Sequence, residues 1–329
     1  MPKPKVVFLT TGGTIAMKFD PVKGTVPAVS GEDLVAAVPG LDDVCEVDVR
    51  EFANVPSPHM TPELMFRLSG MVRDAMKEPS VAGVVITHGT DTLEETAYFL
   101  DLTVSGDKPV CLTAAMRSAA EISSDGPKNI LCAAKAAVAD STRGIGAVVV
   151  LNEQIHAARI VMKTHSANPD TFQSPWWGPL GYVDADRVVV RSKPTKRQHV
   201  CPEKIAARVD IIKLMTGSDS EYVDFAVSRG VDGLVIEGFG RGNIPPDVVP
   251  GLERAIKKGI PVILTTRTSA GRVLDIYGYP GGVIRTKEIG VIPAGELTAA
   301  KARLKLILLL SRNPGARADF KEIAAWFDD

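Results

Sequence analysis

The sequence has little cysteine and lacks the cysteine spacing of a metal site. Its four cysteines, Cys45, Cys111, Cys132 and Cys201, form no Cys-x-x-Cys pair, and no histidine near them would complete a set of ligands. Thiols without such partners usually pack in the core as small hydrophobic groups. We therefore expect four buried thiols, and we expect neither a metal ion nor a cofactor.

The sequence also lacks an excess of charge and a long apolar run. Its 38 basic and 39 acidic residues leave a formal net charge of -1, which gives no global field to attract nucleic acid or an anionic membrane. The apolar run over residues 304–310 is interrupted by Lys305 and is far too short to span a bilayer. We therefore expect a small-molecule partner, with no role for nucleic acid or membrane.

Three sequence signatures are absent. Residues 1–5 lead directly into a strand-like segment, without a signal-peptide core or a small-residue cleavage site, so we expect a cytoplasmic protein. The Gly-x-x-x-x-Gly-Lys-Ser/Thr phosphate loop is missing, and no Gly-x-Gly-x-x-Gly follows the first predicted strand. These absences argue against a phosphate loop and against a dehydrogenase.

What the sequence does contain is the alternation of an α/β protein. Hydrophobic residues make up 45% of the chain and charged residues 23%, as in a soluble globular protein, and 329 residues favour two domains over one large α/β domain. Apolar, β-branched runs alternate with helical patterns and fit a mainly parallel sheet covered by helices on both faces. The predicted strands are 6–9, 81–86, 110–113 and 147–151, and the predicted helices are 31–38, 61–77, 93–104 and 127–139.

A polar stretch without periodicity, residues 191–204, interrupts this pattern. A second α/β region follows, with predicted strands at 211–214, 233–237 and 261–265 and predicted helices at 221–228, 247–258, 298–311 and 319–327. We predict a larger N-terminal domain over residues 1–192, a linker over 193–209 and a smaller C-terminal α/β domain over 210–329.

Two polar clusters follow predicted strands directly, where loops of an open parallel sheet carry binding sites. The first is Thr10-Thr11-Gly12-Gly13-Thr14-Ile15-Ala16, and the second is Thr87-His88-Gly89-Thr90-Asp91-Thr92. The paired glycines allow close approach to a ligand, and the threonines offer hydroxyls as nucleophile or anchor. Taken alone, the first cluster could be a simple glycine turn, and the second could only cap the helix that begins at residue 93.

The two clusters together resemble the signature motifs of bacterial-type L-asparaginases and glutaminase-asparaginases. The resemblance rests on Thr11-Gly12-Gly13-Thr14-Ile15-Ala16 and His88-Gly89-Thr90-Asp91-Thr92, and it extends over essentially the full length. Further segments similar to the family, in the family's order, are residues 94–100, 115–117, 124–127, 178–182 and 240–243.

The resemblance implies a reaction mechanism. Thr14 corresponds to the nucleophile, which attacks the amide carbon and forms an acyl-enzyme that water later hydrolyses. Thr90, Asp91 and Lys163 resemble the family's second cluster, in which lysine and aspartate prepare a threonine or a water for proton transfer. The backbone N–H groups around Thr90 and Ala115 resemble an oxyanion hole. His88 is interpreted as a structural residue of its motif.

The resemblance also implies a set of substrate-binding positions. The family's Ser-Gln-Asp-Met segment corresponds to Ser57-Pro58-His59-Met60, in which Ser57 matches and can bind a carboxylate. Pro58 has no polar side-chain group and no N–H to replace the glutamine, and His59 is a candidate contact. The expected binding residues are Ser57, Pro58, His59, Gly89, Ala115 and Asn243. In the family, the residue matched by Asn243 belongs to a neighbouring subunit's site, which implies at least an intimate dimer. The family's usual assembly further implies a homotetramer built from two such dimers.

Two further departures from the family concern the nucleophile and the substrate's ammonium group. The family's loop tyrosine is missing from residues 18–27, where Thr25 or Val26 is the most similar position, and residues 277–279, near which the family's glutamate would fall, include no acid. The leading hypothesis is hydrolysis of L-asparagine or a close analogue. One alternative is another small carboxamide without a standard α-amino group, and a third hypothesis is a non-catalytic small-molecule-binding protein.

Overall fold

The structure is a computed structural model that describes residues 2–13, 15, 17–20, 24–27 and 30–328. Thr14, the expected nucleophile, lies outside the described residues, as does part of the loop in which the tyrosine is missing. The chain divides into two compact units, Met1–His199 and Val200–Asp329. Each unit is an α/β structure with its own sheet, which confirms the predicted two-domain fold.

A mainly parallel sheet forms the centre of the first unit. Among the described residues it has eight strands, of which five run parallel: β1 (Lys5–Thr10), β4 (Glu46–Glu51), β5 (Val81–Thr87), β6 (Val110–Thr113) and β7 (Ala147–Leu151). Three antiparallel strands extend it at one end, β8 (Gln154–Ala157), β11 (Gly181–Val183) and β12 (Val188–Val190). The strand order is β12-β11-β8-β7-β6-β5-β1-β4.

Helices cover both faces of this sheet, as the buried strand sequences predicted. Along β1, Val6 and Phe8 face one hydrophobic cluster, whereas Val7 and Leu9 face the other. The first cluster includes residues of α1 (Gly31–Ala36), α2 (Leu41–Val44) and α5 (Gly126–Val138). The second includes residues of α3 (Pro62–Lys77) and α4 (Leu93–Thr103). Helix α3 begins as predicted, with Thr61 accepting a hydrogen bond from the Leu64 N–H and Pro62 in the first turn.

Two short hairpins lie outside the main sheet of the first unit. One pairs β2 (Met17–Asp20) with β3 (Gly24–Pro27), and the other pairs β9 (Met162–Lys163) with β10 (Phe172–Gln173). Neither hairpin was predicted from the sequence. The second hairpin matters for the site because it carries Lys163.

The second unit contains a smaller, parallel sheet. Its order is β13-β14-β15-β16, with strands Val209–Lys213, Gly233–Gly238, Val262–Thr266 and Ile292–Pro293. Five helices accompany it in the described residues: α6 (Glu221–Ser228), α7 (Val249–Lys257), α8 (Val283–Glu288), α9 (Ala299–Leu310) and α10 (Phe320–Phe327). The predicted strands and helices of this unit are confirmed within a few residues, whereas β16 and α8 were not predicted.

One expectation about the thiols is wrong. Cys45, Cys111 and Cys132 are buried, but Cys201 is exposed. Cys201 lies within residues 191–208, all of them described, which form neither helix nor strand, and it is exposed although its neighbours Val200 and Pro202 are buried. Within the described part of the chain, no helix is long and apolar enough to cross a membrane.

Candidate active site

The two polar clusters follow neighbouring strands that end at the same edge of the main sheet. Thr10, the last residue of β1, is in register with Thr87, the last residue of β5, and Thr87 is in register with Thr113 at the end of β6. Because these strands are parallel, the loops that follow them leave the sheet side by side. The Thr11 N–H also donates to the Thr87 carbonyl oxygen at 3.1 Å, which continues the pairing beyond the strand ends.

The glycines of the two clusters lie against each other. Gly13 has φ +86°, and a Cβ atom at this position would lie 2.3 Å from both the N and the Cα of Gly89. Gly12 has φ +100°, and a Cβ there would lie 2.5 Å from the Val55 nitrogen. Any side chain at these positions would therefore separate the loops. The contact places Gly13, which immediately precedes Thr14 in the sequence, against Gly89, which immediately precedes Thr90.

Lys163 bridges two polar side chains of the second cluster, those of Thr90 and Asp91. Its Nζ lies 2.9 Å from Thr90 Oγ1 and 2.7 Å from Asp91 Oδ1. The Lys163 side chain is 17% exposed, whereas that of Asp91 is 59% exposed. Asp91 is therefore open to solvent or a ligand, while the lysine is directed inward. Since an ammonium group can only donate, Thr90 Oγ1 accepts this hydrogen bond and keeps its own hydrogen for another partner.

Two contacts hold Lys163 in this position. In the hairpin of β9 and β10, Lys163 pairs with Phe172. The backbone N–H of Lys163 also donates to Glu94 Oε2 at 2.6 Å. Glu94 lies in the first turn of α4, directly after Thr90 and Asp91, so one helix end fixes both the loop and the lysine. This role of Glu94 was not predicted, because nothing in the sequence places residue 163 beside residue 94.

Ser57 joins the second cluster from a different element. It lies in the 3₁₀ turn Ser57–His59 before α3 and is buried. Its Oγ accepts a hydrogen bond from the Asp91 N–H at 3.2 Å, and its carbonyl oxygen accepts one from Thr92 Oγ1 at 2.8 Å. A Cβ at Gly89 would lie 2.7 Å from Ser57 Oγ. Ser57, Gly89 and Asp91 are thus brought together, whereas Pro58 and His59 are exposed on the same turn.

His88 is buried and held by hydrogen bonds at both ring nitrogens. Nδ1 lies 2.7 Å from the Gly89 carbonyl oxygen, which can only accept, and Nε2 lies 3.0 Å from Thr96 Oγ1. Nδ1 therefore carries the proton, and Thr96 donates to Nε2. Burial lowers the pKa of His88 to about 4. The neutral imidazole, hydrogen-bonded at both ring nitrogens, fixes the loop between β5 and Thr90.

Ala115 lies in the loop after β6, and its neighbours are fixed by residues at the start of α5. The Met116 and Arg117 N–H groups donate to the two oxygens of Asp125, at 3.0 and 2.9 Å. A Cβ at Gly126 would lie 3.2 Å from Ile15 and 3.5 Å from the Cβ of Ala115, so this glycine lets both residues approach the helix end. Asp125 and Gly126 belong to a segment that resembles the family, but these contacts were not predicted from it.

Asn243 lies in the second unit, in the turn after β14. Its backbone N–H donates to the Phe239 carbonyl oxygen at 2.9 Å, and its own carbonyl oxygen accepts from the Phe239 N–H at 2.8 Å. Its side-chain oxygen is buried and has no hydrogen-bond partner within the described residues. An amide oxygen in that condition is a candidate acceptor for a group from outside the unit.

Comparisons with known proteins identify the family of both units. The family model "Asparaginase, N-terminal" matches residues 5–196, and "Glutaminase/Asparaginase C-terminal domain" matches residues 208–327. The chain is 40% identical to a probable L-asparaginase of Deinococcus radiodurans, over 97% of each chain. It is 37% identical to an L-asparaginase of Bacillus licheniformis, over 93% of this chain and 95% of the relative. The crystal structure of a probable cytoplasmic L-asparaginase from Campylobacter jejuni has a TM-score of 0.88 and 35% identity, and the match covers 99% of both chains.

Proposed function

Because the chain belongs to the asparaginase family, we propose that it hydrolyses the side-chain amide of L-asparagine to L-aspartate and ammonia. The observation that carries this proposal is the position of Lys163 Nζ, within hydrogen-bond distance of both Thr90 and Asp91 at the edge of the sheet where the first motif begins. Acid–base chemistry on a small amide needs such a pair of groups beside a nucleophile.

In the proposed first step, the Thr14 hydroxyl oxygen attacks the amide carbon of the substrate. The hydroxyl proton leaves the oxygen, the C–N bond breaks, and the nitrogen departs as ammonia after gaining a proton. An ester between Thr14 and the aspartyl group remains. In the second step, water attacks this ester carbon, which releases aspartate and returns the proton to Thr14. No metal or cofactor takes part in either step.

Thr90, Asp91 and Lys163 act in proton transfer. Lys163 donates to both neighbouring oxygens, which leaves the Thr90 hydroxyl hydrogen free to bind and orient the attacking water or the leaving nitrogen. Asp91 keeps the lysine side chain in place, and its exposed carboxylate also provides a counter-charge for the substrate's ammonium group. The contact of Gly13 with Gly89 is consistent with a nucleophile that works next to Thr90.

The remaining site residues bind the substrate. The backbone N–H groups of Thr90 and Ala115 form the oxyanion hole, where charge develops on the amide oxygen. Ser57 binds the substrate carboxylate, and the missing side chain of Gly89 leaves room for the Ser57 side chain beside it. Pro58 and His59 lie in the same turn as Ser57. The L-asparaginase relatives do not favour the alternative of a carboxamide without an α-amino group.

We further propose that the site is completed by a second copy of the chain. The buried Asn243 side-chain oxygen without a partner in the described residues supports this, since a neighbouring subunit could supply a donor. The proposed assembly is a homotetramer of intimate dimers, an arrangement with closed symmetry. Light scattering across a dilution series, measured together with activity, tests it, and a fully active monomer would overturn it. We also propose a cytoplasmic location.

The function is tested by ammonia release from L-asparagine, D-asparagine, L-glutamine and amides without an α-amino group. We expect L-asparagine to react fastest, and Thr14→Ala to lose at least about 10³-fold in kcat, as for removal of other catalytic nucleophiles. Thr195→Ala, which changes an exposed threonine in the irregular segment, serves as the control and should keep full activity. Turnover of only another amide would replace the substrate assignment, and full activity of Thr14→Ala would overturn the nucleophile.

A further inference from the structure

The peptide group between Ala114 and Ala115 is held from the side opposite to its N–H. Asn129, in the first turns of α5, donates from Nδ2 to the Ala114 carbonyl oxygen at 2.9 Å. This carbonyl and the N–H of Ala115 belong to the same planar peptide group, and in a trans peptide they point in opposite directions. Fixing the carbonyl oxygen of Ala114 therefore fixes the direction of the Ala115 N–H.

Asn129 is itself fixed by two further hydrogen bonds and is 2% exposed. Its Nδ2 also donates to Asp125 Oδ2 at 3.0 Å, and its Oδ1 accepts from the Asn152 N–H at 3.0 Å. Both amide hydrogens are thus used, and the side chain cannot rotate without breaking buried hydrogen bonds. Asp125 in turn accepts from the Met116 and Arg117 N–H groups. The backbone is therefore fixed on both sides of Ala115.

We propose that Asn129 is a positioning residue for catalysis, which orients and polarises the Ala115 N–H as the donor that stabilises the transition state. This inference rests on the proposed function, in which Ala115 contributes to the oxyanion hole. A hydrogen bond to the carbonyl oxygen strengthens the N–H of the same peptide group, because hydrogen bonds in a chain polarise one another. The effect acts on charge that develops only in the transition state.

The main variant is Asn129→Leu, which keeps similar size but removes the donor. We expect kcat on L-asparagine to fall by at least about tenfold, since direct loss of an oxyanion donor costs about 10²- to 10³-fold. KM for L-asparagine and the inhibition constant of the product L-aspartate should change by less than about threefold. The negative charge on the amide oxygen develops only in the transition state and is absent from these two ground-state complexes. A fall in kcat with equally large increases in KM and in the inhibition constant of L-aspartate would overturn the proposal. An unchanged kcat would also overturn it.

Asn129→Asp is the second variant, and it also serves if Asn129→Leu does not fold. It keeps an oxygen that can accept from the Asn152 N–H but places the second oxygen against both the Ala114 carbonyl oxygen and Asp125 Oδ2. The introduced carboxylate repels both of these oxygens, and when protonated it can donate to one of them, so kcat should recover in part as pH falls, relative to wild type at the same pH. A constant ratio to wild type at every pH would count against the proposal.

The matched control is Lys128→Ala, one residue earlier on the same helix. Lys128 forms an exposed ion pair with Glu153, next to Asn152, so this variant removes a surface contact between the same two segments. Because exposed ion pairs contribute little, its kinetics should equal those of wild type.

Hydrogen exchange of the segment 114–118 separates this proposal from the proposed function. If wild type releases no ammonia from L-asparagine, the proposed function fails, but the role of Asn129 is still measured by exchange. We expect faster exchange of this segment in Asn129→Leu than in wild type or in Lys128→Ala, since the Met116 and Arg117 amides lose the support of the Asp125–Asn129 pair. Unchanged exchange would overturn the positioning role.

Discussion

The ammonium nitrogen of Lys163 lies 2.9 Å from the hydroxyl oxygen of Thr90, although 73 positions separate the two residues in the sequence. Thr90 follows a strand of the main sheet, whereas Lys163 lies on a two-residue strand of a separate hairpin. This contact therefore depends on how the hairpin is attached to the first unit.

Replacing Lys163 tests the proton-transfer cluster directly. Lys163→Met keeps a side chain of similar length but no charge or hydrogen-bond donor, and we expect kcat for ammonia release to fall by about 10²- to 10⁴-fold, the usual contribution of positioned proton transfer. Lys77→Met, which removes a largely exposed lysine paired with Asp74, should have no effect. Activity of Lys163→Met close to wild type would exclude Lys163 from the mechanism.

Glu94 should matter because it holds the Lys163 main chain. Glu94→Ala removes the acceptor at 2.6 Å, and we expect kcat to fall by about tenfold, as for loss of one hydrogen bond to a charged group. Glu94→Gln keeps an acceptor oxygen and should lie within about threefold of wild type. Glu63→Ala, in the first turn of α3, is the control. The prediction fails if Glu94→Gln is as impaired as Glu94→Ala, because charge rather than position would then explain the loss.

Gly13 should not tolerate a side chain. In Gly13→Ala, the Cβ would overlap Gly89, so we expect the loops to separate and kcat to fall by about 10²-fold, a typical effect of a 1 Å misplacement. Gly40→Ala is the matched control, because Gly40 also has a positive φ of +75° but open space around its Cβ position. The control should lose about 1 kcal/mol of stability and keep its kcat. Equal kinetic losses in both variants would show that only backbone strain was being measured.

Arg197 should stabilise the first unit in a pH-dependent manner. Arg197 Nε lies 3.6 Å from Asp101 Oδ1, and the guanidinium also donates to the Gly106 and Val104 carbonyl oxygens. Burial raises the pKa of Asp101 to about 6, although Arg197 acts in the opposite direction. Because the folded state holds this proton more tightly than the unfolded state, the contribution of Asp101 to stability falls as pH rises through about 4 to 6.

Loss of Arg197 removes the cation that lies 3.6 Å from the Asp101 carboxylate, although Arg159 still acts on this group in the same direction. We expect Arg197→Met to lower the free energy of unfolding by about 3 kcal/mol at pH 7.5, and by less at pH 5, where Asp101 can be protonated. Urea unfolding at the two pH values measures this difference. Arg187→Met, which removes an exposed pair with Asp186, is the control and should be nearly neutral at both. A loss independent of pH would show that the carbonyl contacts, and not the charge of Asp101, explain the role of Arg197.

The sequence allowed the fold and the two motif loops to be predicted because both depend on short-range patterns. Apolar runs such as residues 81–86 indicate buried strands, and polar residues placed directly after them stand out. Strand β4 was missed because it alternates charged residues with valines and is only partly buried, since it is the outermost strand on one side of the sheet. Its sequence therefore lacks the continuous apolar run that marks the central strands.

The supporting contacts could not be predicted because they depend on long-range geometry. Glu94 and Asn129 lie in helices whose sequences do not mark these two positions, and their partners are distant residues of a hairpin or a loop. Asp125 could have been interpreted as a helix cap, but its contacts go to the Met116 and Arg117 amides instead. Even Cys201 was misjudged for a related reason, since burial depends on what surrounds a residue and not on its type alone.

The hairpin of β9 and β10 also sets an order of events during synthesis. The strand that ends in Thr87, and Thr90 and Asp91 after it, leave the ribosome well before Lys163, and Lys163 has no partner strand until Phe172 and Gln173 have followed. A nascent chain that stops before these residues contains the parallel strands of its sheet but leaves Asp91 without its lysine. The charged cluster therefore cannot close until the hairpin has been synthesised, and a chain interrupted before that point lacks the contacts of Lys163 with Thr90 and Asp91.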